Sequence, residues 1–380
     1  MLLLIPGPVT TRPEVRAAMA QDYAPWDNDF RPLYAGVRAR LLAIAGADAA
    51  THTTIALQGC GHFGIEAALR SFLPPGGRIL VPITGSYAER LVRLAREAGR
   101  VPVPLPLSDT APLAAEAVAA ALAADPTLSH VGLIYSETSS GIVHDAAAIG
   151  AAARTNGRRM LLDAVSAFGA LPLDVAAMPE LDVVVFTANK CLEGMPGLSF
   201  SIARIDRLEA CAGEAGSWSF NLADIHAQYK RSGPGSFRFT PPAQVLGSLQ
   251  VALDLFDAEG GQPARLRRYR ANAQVLHQGM RRIGLTPCLD VATQGPVVLN
   301  VHAPDDPAWN LQRFVDLLKA RGYLISNFYN TRAPSFRVGC IGAVTSDDMA
   351  GFVAAADAAL AALGVANRAP LQAALGPPAD

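Results

Sequence analysis

The sequence has no excess of charge of either sign and no long apolar run. Its 380 residues include 32 Lys and Arg against 33 Asp and Glu, so no basic stripe is available for nucleic-acid binding. No run of about 18 apolar residues occurs, which argues against a membrane-spanning helix. The apolar start, MLLLIPGPVTT, soon meets proline and glycine and lacks the basic region of a signal peptide. These absences predict a cytoplasmic protein with neither nucleic-acid nor membrane partners.

Cysteine and histidine are also scarce. The five cysteines, at positions 60, 191, 211, 288 and 340, are odd in number, far apart and never in a CxxC pair. A disulfide framework is therefore not expected, and a reducing compartment fits best. The seven histidines form no HExxH or similar pair, so no metal site is predicted.

The first two thirds of the chain alternate short β-branched runs with alanine-rich stretches. GGRILVPITG (76–85) and LDVVVFTANK (181–190) are typical of buried strands, and SYAERLVRLAREAG (86–99) is typical of a helix. This alternation predicts an α/β fold in which a mostly parallel sheet is flanked by helices. Ligands bind such sheets at the carboxyl ends of the strands.

After about residue 240 the pattern changes to long helices followed by short strands and a terminal helix. We therefore expect a large domain over residues 1–250, including the N-terminal segment. A smaller C-terminal α+β domain is expected over 251–366. The Pro- and Ala-rich residues 367–380 are expected to form a flexible tail.

Two charged residues stand where buried strands are predicted to end. Asp163 closes the apolar run RRMLLD, and Lys190 follows LDVVVFTAN. A buried charge is costly unless it meets a partner. One interpretation is a structural Asp–Lys salt bridge. The other is a pyridine cofactor, which needs an acid beside its ring nitrogen and a lysine that forms an imine with its aldehyde.

Such a cofactor also needs a phosphate cradle, and LQGCGHFGIEAALRSFL (57–73) supplies one. Gly59 and Gly61 permit a tight turn, and a helix that begins near His62 presents free N–H groups and a favourable dipole. The glycine spacing matches neither GxGxxG nor GxxxxGK[ST], which disfavours a nucleotide-binding protein. Tyr87, after the next strand, is either a core residue or a ring that lies flat on the pyridine.

Nine stretches along nearly the whole chain carry a resemblance to a known family. They are LLLIPGPVTT, WDNDF (26–30), LQGCGHFGIEA, DPTLSHVGLIYSETSSGI, DAVSAFGALPLDV, TANKCLEGMPG, SWSFNL (217–222), FRFTPP (237–242) and FRVGCIG (336–342). The sequence resembles the class V aminotransferases of the fold-type I, pyridoxal-phosphate-dependent superfamily. SETSSG, ANKCLEGMPG and FRFTPP together resemble its aminophosphonate branch most.

This resemblance implies the fold-type I architecture and pyridoxal 5′-phosphate as cofactor. It implies a ping-pong transfer of the amino group of 2-aminoethylphosphonate to pyruvate, in a homodimer with active sites at the subunit interface. Other donors stay open: a modified aminophosphonate, or serine or alanine with glyoxylate or pyruvate. A non-catalytic ligand-sensing relative is a further alternative, which the presence of Lys190, Asp163 and Arg337 disfavours.

The resemblance also assigns roles to individual positions. Lys190 matches the lysine that binds the cofactor and shuttles the proton, and Asp163 matches the acid that pairs with the ring nitrogen. Arg337 matches the arginine that grips the acid group of the substrate; without the resemblance, a surface salt bridge would be its default interpretation. The remaining cofactor-binding positions are Cys60, Gly61 and His62 in the phosphate turn, Tyr87, Thr138, and Thr240, which reaches the phosphate of the other subunit.

The phosphate turn departs from the family pattern. Cys60 and His62 stand where the family usually carries small hydroxyl residues. We expect Cys60 to be a small buried filler rather than a redox thiol. His62 either contacts the phosphate or caps the helix.

The stretch LISNFYNTRAPSFRVG (324–339) departs further. Asn327, Phe328 and Tyr329 stand where the family typically has a Pro-Gly-Lys turn, and Arg332 adds a cation close to Arg337. The loop 326–332 is expected near the substrate, so the identity of the amine donor depends on it.

Overall fold

The computed structural model describes residues 1–108, 111–328, 331 and 333–375. The strands are β1 (Leu2–Leu3), β2 (His52–Gln58), β3 (Arg78–Ile83), β4 (Val101–Pro106), β5 (Leu128–Ile134), β6 (Arg159–Asp163), β7 (Leu181–Thr187), β8 (Leu198–Arg204), β9 (Val298–His302), β10 (Tyr323–Leu324) and β11 (Ser335–Gly339). The α-helices are α1 (Pro13–Ala17), α2 (Phe30–Ile44), α3 (Gly61–Phe72), α4 (Ser86–Glu97), α5 (Ala115–Ala124), α6 (Ala146–Thr155), α7 (Ile205–Ala210), α8 (Leu222–Ser232), α9 (Ala243–Glu259), α10 (Gly261–Arg282), α11 (Leu311–Ala320) and α12 (Ser346–Leu363). Short 3₁₀ helices cover Ala18–Ala20 and Gln372–Leu375.

A seven-stranded sheet forms the centre of the larger unit, in the order β2-β8-β7-β6-β5-β3-β4. The pairs among β7, β6, β5, β3 and β4 are parallel, whereas β8 runs antiparallel to both of its neighbours. Every residue of β7 is buried, as expected for a strand covered by helices on both faces. The predicted α/β fold with a mostly parallel sheet is therefore confirmed.

A second, smaller core lies around the antiparallel pair β9 and β11. The helices α10, α11 and α12 contribute its apolar side chains. The first residues of the chain join this unit, because β1 pairs with β10 and Leu4 is buried in the same core. The helix α9 runs across residue 250. The division of the chain at that residue stays a prediction.

Among the described residues, no helix is both long enough and apolar enough to cross a membrane.

Candidate active site

The carboxyl ends of β6 and β7 bring Asp163 and Lys190 to the same edge of the main sheet. Asp163 is the last residue of β6 and lies opposite Val185 of β7. Lys190 lies in the turn that follows β7, three residues beyond Thr187. Because the strands are parallel neighbours, both residues reach the crevice in which such sheets bind ligands.

Asp163 and Lys190 do not form a salt bridge with each other. The Nζ of Lys190 donates a hydrogen bond to the carbonyl oxygen of Pro6 at 2.6 Å, and Asp163 Oδ1 accepts one from the Val165 N–H at 2.9 Å. No nitrogen–oxygen pair within 4.0 Å joins the two side chains, both of which belong to the described part of the chain. The structure therefore does not contain the Asp163–Lys190 salt bridge that was the simpler interpretation of the sequence.

Burial shifts both groups toward their neutral forms. It raises the pKa of Asp163 to about 6, although the Val165 N–H and the charge of Lys190 favour the carboxylate. It lowers the pKa of Lys190, and the charge of Arg337 acts in the same sense. An amine that gives up its proton easily is a nucleophile and a base. A buried carboxyl group gains most from a cationic partner.

The helix α3 begins at Gly61 and leaves its first turn without a side-chain cap. Cys60 is the N-cap residue, with extended backbone angles and no cap hydrogen bond from its side chain. A Cβ on Gly61 would come within 2.5 Å of Val165 Cγ2, so glycine is what lets this turn approach the end of β6. The first N–H groups of a helix have no partner inside the helix, which suits them to a phosphate.

The expectation that Cys60 is a buried filler is wrong, because its side chain is exposed. The strand β2 already ends at the exposed Gln58, so the chain has left the core before it reaches the cysteine. His62 is partly buried, and its ring stands edge-on to Phe63 with 5.8 Å between the centroids.

Tyr87 lies in the first turn of α4, where it packs against the main core and also responds to the charges of the crevice. Burial alone would raise the pKa of Tyr87. The charge of Lys190 and a hydrogen bond with Thr138 outweigh burial, so this pKa lies below its ordinary value. The hydroxyl also accepts a hydrogen bond from Arg337. Tyr87 therefore connects the lysine and the arginine of the predicted site.

Arg337, in the middle of β11, is only 3 % exposed and has no acidic partner. Its Nη1 donates to the carbonyl oxygen of Thr138 at 3.0 Å, whereas its buried Nε has no hydrogen-bond partner. Within the described ranges, no carboxylate oxygen lies within 4.0 Å of the guanidinium group. Burial lowers the pKa of Arg337. A buried guanidinium with an unpaired N–H suits an anionic ligand, not a surface salt bridge.

Glu137, in the SETSSG motif, is a buried acid of the site whose role the sequence patterns do not reveal. Its Oε1 accepts from the backbone N–H of Ser139 at 3.1 Å and of Tyr87 at 3.4 Å. Burial raises the pKa of Glu137. A carboxylate just beyond an apolar strand is the signal that also identifies Asp163, so the same criterion would find it.

A buried hydrogen-bond network lies beside the turn that carries Lys190. The Oε1 of Glu193 accepts from the Tyr269 hydroxyl at 2.6 Å and from Arg268 Nη2 at 2.7 Å, and Arg265 Nη1 lies 3.5 Å away. Glu193 has a φ of 57°, which a non-glycine residue holds only where its surroundings impose it. The network therefore fixes the backbone three residues beyond Lys190.

The same network reaches the segment after β11. Arg268 Nη1 donates to the carbonyl oxygens of Gly342 and Val344, at 2.5 and 3.1 Å. The Gly342 N–H donates to the Tyr269 hydroxyl at 3.2 Å. The helix α10 thus joins the Lys190 turn to the chain that leads away from Arg337.

Thr240 is the remaining site residue that the sequence predicts. It is exposed and follows Phe239, whose own exposed ring meets that of Trp218 edge-on with 5.2 Å between the centroids. Its role across a subunit interface stays a prediction. Tyr329 and Arg332 of the altered loop lie outside the described residues.

The residues at this sheet edge fit a phosphate-bearing pyridine cofactor. Lys190 offers an amine shifted toward its neutral form, Asp163 a partly buried carboxyl group without a cationic partner in contact, and Gly61 the start of an uncapped helix. No group of three or more His, Cys, Asp or Glu side chains that could hold a metal ion occurs in the described part of the chain.

Comparison with known proteins gives this site a family. The profile of the family described as Aminotransferase class-V matches residues 25–322. A 2-aminoethylphosphonate–pyruvate transaminase of Burkholderia ambifaria (strain MC40-6) is 43% identical over 366 residues, which is 96% of this chain and 97% of that protein. The transaminase of the same name from Burkholderia pseudomallei (strain K96243) is 42% identical over 97% of this chain and 98% of its own length.

Solved structures share the fold at lower identity. Ureidoglycine–glyoxylate aminotransferase from Bacillus subtilis superposes with a TM-score of 0.85 at 24% identity, over 98% of this chain and 95% of that one. Pyridoxamine–pyruvate aminotransferase from Mesorhizobium loti gives a TM-score of 0.84 at 24% identity, over 96% and 93% of the two chains. The predicted fold-type I architecture is confirmed by these similarities.

Proposed function

The chain belongs to the class V aminotransferase family, and on that premise we propose that it moves the amino group of 2-aminoethylphosphonate to pyruvate. The products are phosphonoacetaldehyde and L-alanine. The observation that carries this substrate assignment is the 43% identity with an aminophosphonate transaminase over 96% of the chain. The enzyme is a pyridoxal-phosphate-dependent transaminase, as its family membership implies.

Four groups of the sheet edge would hold the cofactor. Lys190 would bind its aldehyde carbon and Asp163 its ring nitrogen, while the uncapped N–H groups at the Gly61 helix start would bind its phosphate. Tyr87 would lie against the ring. When bound, pyridoxal phosphate supplies an aldehyde that takes up the amino group and a ring that accepts the electron pair released at the substrate carbon.

Lys190 moves the proton at the reacting carbon. Its partly buried Nζ has a pKa below the ordinary value for lysine, so the amine gives up its proton more readily and serves as a base. Its hydrogen bond to the Pro6 carbonyl orients it, and Gly7 leaves the space that its side chain needs. After the proton has been taken up at Nζ, the same group returns it to a neighbouring carbon.

Arg337 binds the acid group of each substrate in turn. Its planar fork pairs with a carboxylate through two parallel hydrogen bonds and also binds phosphonate oxygens. Because Thr138 and Tyr87 hold the guanidinium in place, the reacting end of the substrate is directed toward Lys190. One arginine therefore serves the aminophosphonate in the first half-reaction and pyruvate in the second.

The enzyme is proposed to act as a homodimer. The support is a group of exposed aromatic side chains beside Thr240, namely Trp218 and Phe239, which are 72% and 57% exposed in the single chain. Exposed apolar surface of this kind marks protein–protein contacts. Sedimentation of the active protein as a monomer would contradict the proposal.

A donor screen tests the substrate assignment. The visible absorbance of the cofactor-loaded protein is followed as 2-aminoethylphosphonate, serine and alanine are added separately, and pyruvate is then added. We expect rapid bleaching by the phosphonate and recovery with pyruvate, with alanine detected as product. Equal rates with serine would move the assignment to another donor while leaving the transaminase chemistry intact.

A further inference from the structure

An exposed aromatic ring covers the buried guanidinium of the acid subsite. The ring centroid of Phe328 lies 5.2 Å from Cζ of Arg337, within the range of a cation–π contact. The Phe328 side chain is 54% exposed, whereas Arg337 is 3 % exposed. The ring therefore lies between solvent and the buried guanidinium group.

The remaining surroundings of Arg337 leave one direction open to a ligand. Thr138 accepts from Nη1 and Tyr87 is hydrogen-bonded to the group, but the buried Nε has no partner. Asn300, opposite Arg337 in the β9–β11 pair, donates its amide N–H to the Ser139 carbonyl and leaves its buried Oδ1 without a partner. The unsatisfied donor of this subsite is thus an N–H in the plane of the guanidinium group.

We propose that Phe328 determines how this enzyme balances its two acid substrates, by covering one face of Arg337 so that the acid group must bind in the guanidinium plane. This inference rests on the proposed function and assigns it a specificity residue. A flat carboxylate fits an in-plane, two-point contact. A tetrahedral phosphonate places an oxygen out of that plane, where the phenyl ring offers no hydrogen-bond donor.

The consequence is a bias against the more highly charged acid. The phosphonate carries more negative charge and is attracted more strongly to a cation. The ring reduces the resulting difference in affinity between phosphonate and carboxylate. Pyruvate can then replace phosphonoacetaldehyde, the product of the first half-reaction, at the same arginine. Removal of the ring is expected to favour phosphonate binding over carboxylate binding.

Binding of two unreactive acids tests the proposal without any turnover. Isothermal titration of the cofactor-loaded protein with propionate and with ethylphosphonate gives two dissociation constants, whose ratio is compared in Phe328→Ala and Phe328→Lys. We expect ethylphosphonate to bind more tightly relative to propionate in Phe328→Ala, because the ring that contacts Arg337 no longer hinders an out-of-plane phosphonate oxygen. The preference for ethylphosphonate over propionate should rise in Phe328→Ala and rise further in Phe328→Lys.

Val291→Ala is the matched control, because Val291 is an apolar side chain of similar exposure, 61%, elsewhere in the chain. Its ratio should equal that of the unaltered protein. An unchanged ratio in both Phe328 variants would overturn the proposal, as would a failure of the unaltered protein to bind either acid. If the ratio shifts as expected but no alanine forms from pyruvate and 2-aminoethylphosphonate, the function fails and the role of the ring stands.

Discussion

The two ends of the candidate site are supported in opposite ways. At the lysine end, the turn of residues 190–194, Glu193 gathers Tyr269, Arg268 and Arg265 around one carboxylate oxygen. At the acid end, around Arg337, the buried Arg337 Nε and Asn300 Oδ1 have no hydrogen-bond partner. One end is saturated with contacts, and the other is left incomplete.

This difference follows from what each end has to do. A buried polar atom without a partner costs free energy, so we expect the ligand to complete an unpaired donor and acceptor that lie at its proposed subsite. In the proposed mechanism, the lysine has to stay in one place through both half-reactions, and a saturated network beside its turn suits that role. The acid groups of the two substrates bind and leave in each cycle, so their subsite has to be filled and empty in turn.

The largest expected effect is the loss of the lysine itself. In the proposed mechanism, Lys190→Ala removes both the group that binds the cofactor and the base that moves the proton, so the rate of alanine formation from pyruvate should fall by at least about 1,000-fold. Lys319→Ala, an exposed lysine on α11, is the control and should keep full activity. Activity of Lys190→Ala within tenfold of the control would show that Lys190 is not the reactive group of the site, and the contrast between the two ends would then have no functional meaning.

Loss of the support at the lysine end should appear first as loss of stability. Glu193→Ala leaves Arg268 and Tyr269 without their shared acceptor and keeps a side chain at a φ of 57°, so unfolding in urea should become easier by about 3 kcal/mol. Glu193→Gln keeps an acceptor of the same shape and should lose less.

The control for this network is Glu14→Ala, an exposed acid in α1. Activity separates a local role from a global one: after the folded fraction is accounted for, kcat should still be reduced in Glu193→Ala, because the Lys190 turn has lost its fixed geometry. If Glu193→Ala were as stable and active as Glu14→Ala, the saturated contacts would have no function.

The acid end should respond in binding rather than in folding. Arg337→Lys keeps the charge but loses the planar fork, so KM should rise by about 10- to 100-fold for both the phosphonate and pyruvate, with a smaller change in kcat. Arg93→Lys, in an exposed pair with Glu97, controls for the substitution itself. A rise in KM for only one of the two substrates would mean that the acids do not share this arginine.

The sheet and its two charged strand ends are predictable from local patterns. Apolar runs that alternate with helical stretches identify β6 and β7, and a charge at the end of each run identifies Asp163 and Lys190. Each apolar run and the charged residue at its end lie within a few residues of each other, so a single sequence without relatives is sufficient to find them.

The supports of the site are not predictable in the same way. Glu193 meets Arg268 across 75 residues, and Arg337 meets Thr138 across 199, so neither contact leaves a local pattern. The contact between Phe328 and Arg337 joins two residues of a stretch whose sequence carries no periodic signal. The expectation that Cys60 fills a buried space is wrong because the strand β2 ends two residues earlier, at Gln58, and the cysteine side chain is exposed.

The smallest effect expected is a dependence of stability on pH that belongs to Asp163. Its pKa is raised by burial from 3.8 to about 6 in the folded protein, so between these values the folded protein binds more protons than the unfolded chain. The cofactor-free protein should therefore lose stability as pH rises from about 4 to 6, by about 1–3 kcal/mol from this group. Asp163→Asn should cancel that part of the slope, measured as the difference between its urea unfolding curves and those of the unaltered protein. Asp125→Asn is a control whose effect has the opposite sign and lies at lower pH, between about 2 and 4, because hydrogen bonds from Thr127 and Arg78 lower the pKa of Asp125 to about 2. The contrary result is a difference in unfolding free energy between the unaltered protein and Asp163→Asn that stays constant from about pH 4 to 6. That result would mean that the carboxyl group already has its partners without the cofactor, and that no group at the lysine end is left for the cofactor to complete.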